Sequence, residues 1–193
     1  MAKKNKQPYI GGDLGGTKIL AAVVSPQGEI LSQAKNPTPA KQSPDAVIAR
    51  IAETAEGAVH QADLAMKDIA AIGVGAPGVI DTARGLVRVA PNLAFWEEIP
   101  LGSRLQEQLE RPVVVGNDVD VATYGEYVLG AASGCQSLVG IFPGTGIGGA
   151  LILNGRLHTG ARGSAAEVGH MVLMADGPVC SCGRRGCVEA LAS

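Results

Sequence analysis

Apolar residues in this chain come in short runs broken by glycine turns, and their spacing alternates between strand-like and helical. In YIGGDLGGTKILAAVVS a short apolar run, a glycine turn and a second apolar run follow one another, and EILSQAKN continues with roughly alternating polarity. The pattern predicts three consecutive antiparallel strands with turns at 14–17 and 26–28. Ser43 is then placed to cap a helix with Pro44 at its first position, and Val47, Ile51, Ala55, Ala58 and Val59 recur at helical spacing. DIAAIGVGAPG reads as a buried strand entering a loop, LGSRLQEQLERP as a short helix stopped by Pro112, and VVVGND as another buried strand. DVDVATYGEYVLGAA reads as a helix beginning at Asp118 or just after it. SLVGIF, PGTGIGG and ALIL then repeat strand, glycine turn, strand, which hints at a second half built like the first.

Composition changes this picture little. A length of 193 residues suits one large domain or two small ones, and 46% hydrophobic residues with only 3% aromatic implies a core of Val, Ile, Leu and Ala. A net charge of −2 carries no electrostatic footprint for nucleic acid. MAKKNKQPY has lysines but no apolar stretch, so residues 1–8 are expected to be a disordered tail rather than a signal peptide. Residues 129–155 carry no charge, yet their glycines, Pro143 and polar side chains divide them into buried strands joined by a glycine loop, not a membrane span. The expectation is a soluble, cytoplasmic protein whose cysteines stay reduced and favour metal over disulfides.

Two segments satisfy G-x-G-x-x-G, at Gly73-Gly75-Gly78 and at Gly144-Gly146-Gly149. A dinucleotide fingerprint must lead from a strand into a helix; these lead into VID and ALIL, and neither is a Walker A loop. Two glycine hairpins remain, DLGGTK (13–18) and PGTGIGG (143–149), each with a threonine, Thr17 or Thr145, between glycines. Exposed N–H groups in such turns form anion-binding concavities, Asp13 can hold Mg²⁺ and Lys18 can meet a phosphate. The same glycines also suit plain tight turns.

Cys180-x-Cys182-x4-Cys187, with Gly183 and Gly186 letting the backbone wrap, offers three thiolates for a tetrahedral zinc site. Of His60, His158 and His170, the last is only ten residues from Cys180 and closes the shortest loop as a fourth ligand. A redox pair activated by Arg184 and Arg185, or ordinary cysteines, are the alternatives. Four protein ligands leave no open position, so such a zinc would be structural. Cys135 stands apart as a small core residue.

DLGGTK, GVGAPGVID, PNLAFW, GNDVDVATYGE, GTGIGG, AAEVGHM and CSCGRRGC-x-E occur in the order seen in the ROK family of sugar kinases, which the chain resembles from Tyr9 onward. The resemblance implies the α/β, actin-like (ribonuclease H-like) ATPase fold, in which two βββαβα domains close over a nucleotide. Residues 9–117 would form the first domain, with a mixed sheet in the order βββαβαβα. Residues 118–193 would begin a second, similar domain that family members continue well beyond the cysteine motif. It implies that Asp118 is the catalytic base, a role compatible with its also capping a helix, and that Asn117 holds a sugar hydroxyl. Asn92, Glu167, His170 and Glu189 become further sugar contacts, and His170 also the zinc ligand. Gly15, Gly16, Thr17 and Lys18 with Asp13, and Gly144, Thr145, Gly146 and Gly148, would hold Mg-ATP. The implied activity is that of an ATP-dependent hexose kinase, foremost a glucokinase, with a hexose as partner, no nucleic acid or membrane, and a homodimer as one allowed assembly. A sugar-sensing transcriptional regulator is the alternative, although DLGGTK at residue 13 leaves no room for a preceding DNA-binding helix pair. An N-acetylhexosamine or fructose kinase is a further alternative.

Overall fold

A computed structural model describes residues 6–161 and 163–193; residues 1–5, most of the expected tail, lie outside them. The chain divides into two compact units, residues 1–118 and 119–193.

In the first unit β1 (Tyr9–Leu14), β2 (Lys18–Val24) and β3 (Ile30–Pro37) form the antiparallel meander that the alternating pattern predicts. α1 (Pro44–Gln61) starts where its cap residue sits: the Ser43 hydroxyl accepts a hydrogen bond from the Ala46 N–H at 3.4 Å. Pro44 fills the first turn, where a missing N–H costs no helical bond. The apolar stripe of α1 packs on β2 and β3 and buries Val47, Ile51, Ala55, Ala58 and Val59, the positions its period marks. β4 (Ile72–Ala76) follows. A small antiparallel sheet of β5 (Val79–Asp81), β6 (Leu86–Val89) and β7 (Glu97–Ile99) comes next, then α2 (Leu101–Leu109) and β8 (Val113–Asn117). The main sheet runs β3-β2-β1-β4-β8, with β1, β4 and β8 parallel. Its core gathers Ile10, Leu14, Ile19, Val23 and Val74 with Trp96, Leu101 and Leu105.

Three expectations need correction. The small sheet was not foreseen, because strands of three or four residues are too short to show a period. α2 ends at Leu109, where Glu110 turns to a left-handed φ of 53°, so the backbone reverses before Pro112 can act. β8 is not a fully buried strand: it is an edge strand, with Val115 buried and Val114 exposed on the opposite face.

In the second unit α3 (Asp118–Val128) leads into β9 (Leu138–Pro143) and β10 (Ile147–Leu153), which pair antiparallel, with the two-residue β11 (Arg156–Leu157) on the far edge of β10. A 3₁₀ turn at Val168–His170 and the short α4 (Val188–Ala192) complete it. The expected burial holds for β10, where Ile147, Ala150 and Ile152 are covered, but not for β9, whose Val139 and Ile141 are exposed, nor for Cys135, which is exposed and not a core residue. An uncharged stretch proved compatible with a strand open on one face, since apolarity alone does not say which face is covered. No helix among the described residues is long and apolar enough to cross a membrane.

Replacing Ser43 by Ala should cost about 1 kcal/mol, the usual worth of a helix N-cap. Urea unfolding of the chain measures it, and an unchanged midpoint would show the cap to be idle.

Candidate active site and metal centre

Three parallel strands of the first unit end together. Their register sets Asp13 beside Gly75 and Gly75 beside Gly116, so Asp13, Asn117 and Asp118 gather at the carboxyl ends of β1 and β8 with β4 between them. Sheets of this kind present ligand-binding groups at that end. β4 leaves the room: a β-carbon at Gly75 would stand 3.3 Å from the Asp118 Cα. Sequence reasoning passed over Gly75 as part of a failed dinucleotide pattern, although glycines at alternate strand positions 73 and 75 were the available sign of a close backbone approach.

Asp118 is the first residue of α3 and half-buried, and the Asn117 side-chain amide donates to the Gly78 carbonyl at 3.0 Å, which fixes its orientation. The first hairpin closes through the Gly15 N–H on the Lys18 carbonyl at 3.0 Å. Thr38 braces it, its hydroxyl donating to the Gly15 carbonyl at 2.7 Å and its N–H to the Thr17 carbonyl at 3.0 Å. Gly16, Thr17 and Lys18 are left exposed at the tip, and Gly16 packs beside the exposed Asn92. Partial burial raises the Asp13 pKa above the usual 3.8, and the Lys18 ammonium opposes the shift. The residue is otherwise open to solvent, so the effect on stability is small.

In the second unit His170, Cys180, Cys182 and Cys187 converge, with their ligand atoms all within 4.8 Å of one another. The 3₁₀ turn carries His170, and tight backbone bonds shape the cysteine loop: Cys180 N–H to the Arg184 carbonyl at 2.7 Å, Gly183 N–H to the Cys180 carbonyl at 2.9 Å. Gly186 lies so close to the Met174 carbonyl that a side chain there would overlap it. The Cys180 Sγ is 3.6 Å from His170 Nδ1, and the Cys182 and Cys187 sulfurs are 3.7 Å apart. Thiolates about 2.3 Å from a tetrahedral zinc stand about 3.8 Å apart, so the cluster fits that ion. Burial and the neighbouring thiols push Cys187 up to about 11, while the Arg184 backbone N–H pulls Cys182 down.

The second hairpin is less open than its glycines suggest. Gly144 N–H closes the turn on the Gly146 carbonyl at 2.8 Å, and Ile147 already begins β10. Its N–H donates to Glu189 Oε2 at 3.0 Å, while Ser181 donates to Glu189 Oε1 at 3.1 Å. The Ile147 N–H holds the Glu189 carboxyl below the usual carboxylate range, helped by Ser181 and by the charge of His170. A β-carbon at Gly146 would overlap the Glu189 carboxylate, and one at Gly148 would overlap Val119 of α3. These two glycines therefore permit close packing, and Gly144 and Thr145 are the exposed residues of the turn. Glu167 is exposed just before the 3₁₀ turn, its carbonyl accepting from the His170 N–H at 3.0 Å. Ser181 was not foreseen, since a serine between two cysteines carries no distinctive pattern.

The model of the ROK family matches residues 9–193. The chain belongs to the ROK family. It is 42% identical over 184 residues to the glucokinase of Streptomyces coelicolor, covering 95% of this chain and 56% of that protein. Its structure resembles that of a ROK family glucokinase from Streptomyces griseus in complex with glucose and AMPPNP, with a TM-score of 0.85 and 39% identity, over 96% of this chain and 57% of that one. It is also 33% identical over 190 residues to the xylose repressor of Caldicellulosiruptor bescii, covering 98% of this chain and 47% of that protein. The chain thus spans about half the length of these relatives, between 47% and 57%. Its mixed α/β architecture is that of the actin-like ATPase fold, as expected.

Two outcomes follow from the geometry. Because the fold raises the Asp13 pKa, it favours the protonated acid, and the associated stability is present below 3.8 and lost as pH rises through the raised value. Asp13→Asn should therefore melt slightly higher than the parent at pH 7, with the difference vanishing below the usual 3.8 in pH-dependent thermal melts. Cys187→Ser, which removes a buried thiol from the cluster, should abolish retention of one zinc per chain if the cluster holds the ion, measured by metal analysis after dialysis.

Proposed function

We propose that the chain forms the sugar-binding and hairpin portion of an ATP-dependent hexose kinase with glucose as the foremost substrate. The observation that carries this reading is the placement of Asp118 at the junction of β8 and α3, beside the side-chain-free Gly75 and at the same strand ends as Asp13.

Asp118 takes the proton from the sugar hydroxyl. The hydroxyl oxygen forms its bond to the terminal phosphorus of ATP as the bond to the departing ADP breaks. Asn117, held on the Gly78 carbonyl, orients a sugar hydroxyl, and Asn92, Glu167, His170 and Glu189 complete the contacts that the family pattern implies. Asp13 and Lys18 with Gly15, Gly16 and Thr17 are phosphate-binding residues in this reading, and so are Gly144, Thr145, Gly146 and Gly148. Mg²⁺ bound with the nucleotide supplies charge neutralisation at the phosphates. Zinc on His170, Cys180, Cys182 and Cys187 is structural, since four protein ligands leave no position for a reacting water. Presence of both Asp13 and Asp118 favours catalysis over the sugar sensing of a repressor, because binding alone requires no base.

A coupled assay of ADP release in the full-length protein, run over glucose, mannose, fructose and N-acetylhexosamines, tests this reading. Asp118→Asn should lower kcat about 10²- to 10⁴-fold with little change in sugar KM, the usual contribution of a general base. Undiminished turnover in that variant would remove Asp118 from the reaction.

A further inference from the structure

Glu189 has a role that its position after the last cysteine does not disclose. Both its carboxylate oxygens are engaged within the protein: Oε2 by the Ile147 N–H at 3.0 Å, and Oε1 by the Ser181 hydroxyl at 3.1 Å. Ile147 is the first residue of β10, directly after the 144–146 turn, and Ser181 lies between two cysteines of the metal cluster. The Cys180 sulfur is also 3.8 Å from Glu189 Oε1. The carboxylate fills the space that a side chain at Gly146 would need, so hairpin and glutamate are shaped to each other. Glu189 itself lies in the first turn of α4, two residues after Cys187, whose backbone is pinned by a bridge to Val172. A charged acceptor bonded to a backbone N–H is among the stronger hydrogen bonds available to a protein.

We infer that Glu189 is a positioning residue: its carboxylate ties the glycine hairpin at Gly146–Ile147 to the cysteine loop, so that metal binding to His170, Cys180, Cys182 and Cys187 sets the conformation of the hairpin. Metal bound at the cluster orders Ser181 and the start of α4. Those in turn aim the carboxylate at the Ile147 N–H. The consequence for catalysis rests on the hairpin serving as a phosphate site, but the tie itself does not.

Amide hydrogen exchange of Ile147, read by NMR on the chain, tests the tie apart from any kinase activity. In the zinc-loaded protein Glu189→Ala should speed Ile147 exchange about tenfold or more, the worth of one charge-assisted hydrogen bond. One zinc per chain should remain bound. Glu189→Gln keeps a carbonyl acceptor and should restore most of the protection. Chelation of the parent should accelerate Ile147 well beyond the β9–β10 ladder amides such as Ala150, and chelation should add little in Glu189→Ala. An unchanged Ile147 rate in Glu189→Ala, or chelation that leaves Ile147 protected while the cysteine-loop amides open, would overturn the inference. So would uniform acceleration of the whole ladder. Should Glu189→Ala fail to fold, Ser181→Ala with the chelation series decides in the same way, a smaller acceleration being expected and none overturning it. In the coupled assay, Glu189→Ala raising the KM for ATP, with rescue by Glu189→Gln, extends the tie to catalysis. Confirmed exchange behaviour with an unchanged ATP KM would instead refute the hairpin as a phosphate site while leaving the tie in place.

Discussion

Parallel hydrogen bonding among β1, β4 and β8 brings residues more than a hundred positions apart in sequence, Asp13 and Asp118, to one end of one sheet. Every proposed catalytic group of the first unit depends on that register. A shift of one residue would send Asp13 to the opposite face and leave Gly75 no longer beside Asp118. The register is held by burial: Ile10, Leu14, Ile72, Val74 and Val115 must face the core together, and α1 and α2 cover them. The site is thus set by apolar packing some distance from it, which leaves its own residues free to be chosen for chemistry.

The second unit is organised differently. The extended apolar cluster lies in the first unit, and the buried apolar residues of the second are few, chiefly Ala132, Ile147, Ala150 and Ile152 with Cys180 and Cys187. Small cores gain most from cross-links made by bound metal, because the ion restrains loops that side-chain packing alone cannot order. The cysteine loop fits that need: its two buried sulfurs are themselves core residues, and its backbone turns are closed by short hydrogen bonds. Polar ties such as Glu189 to Ile147 then do between loops what apolar packing does between α1 and the sheet.

Much of this was legible in the chain. The meander of β1 to β3, the cap and buried stripe of α1, the strand-to-helix junction at Asp118 and the Cys₃His cluster all rest on local signals, and the structure shows each of them. Elements without a local signal were not legible. The β5–β7 sheet is too short for a period, α2 ends on a backbone reversal at Glu110, and exposure of Val139 in β9 depends on what lies across the sheet.

The glycines mark the boundary most clearly. Sequence alone marked the tight turns within 14–17 and 143–149, because a glycine-rich break between two apolar runs is a local signal that holds whatever the surroundings. It could not determine why Gly75 and Gly146 lack side chains. That reason is the backbone of Asp118 in one case and the carboxylate of Glu189 in the other, each brought close by folding from more than forty positions away. Local geometry is written in neighbouring residues; close approach is decided only when distant segments pack, since the excluded space belongs to atoms elsewhere in the chain.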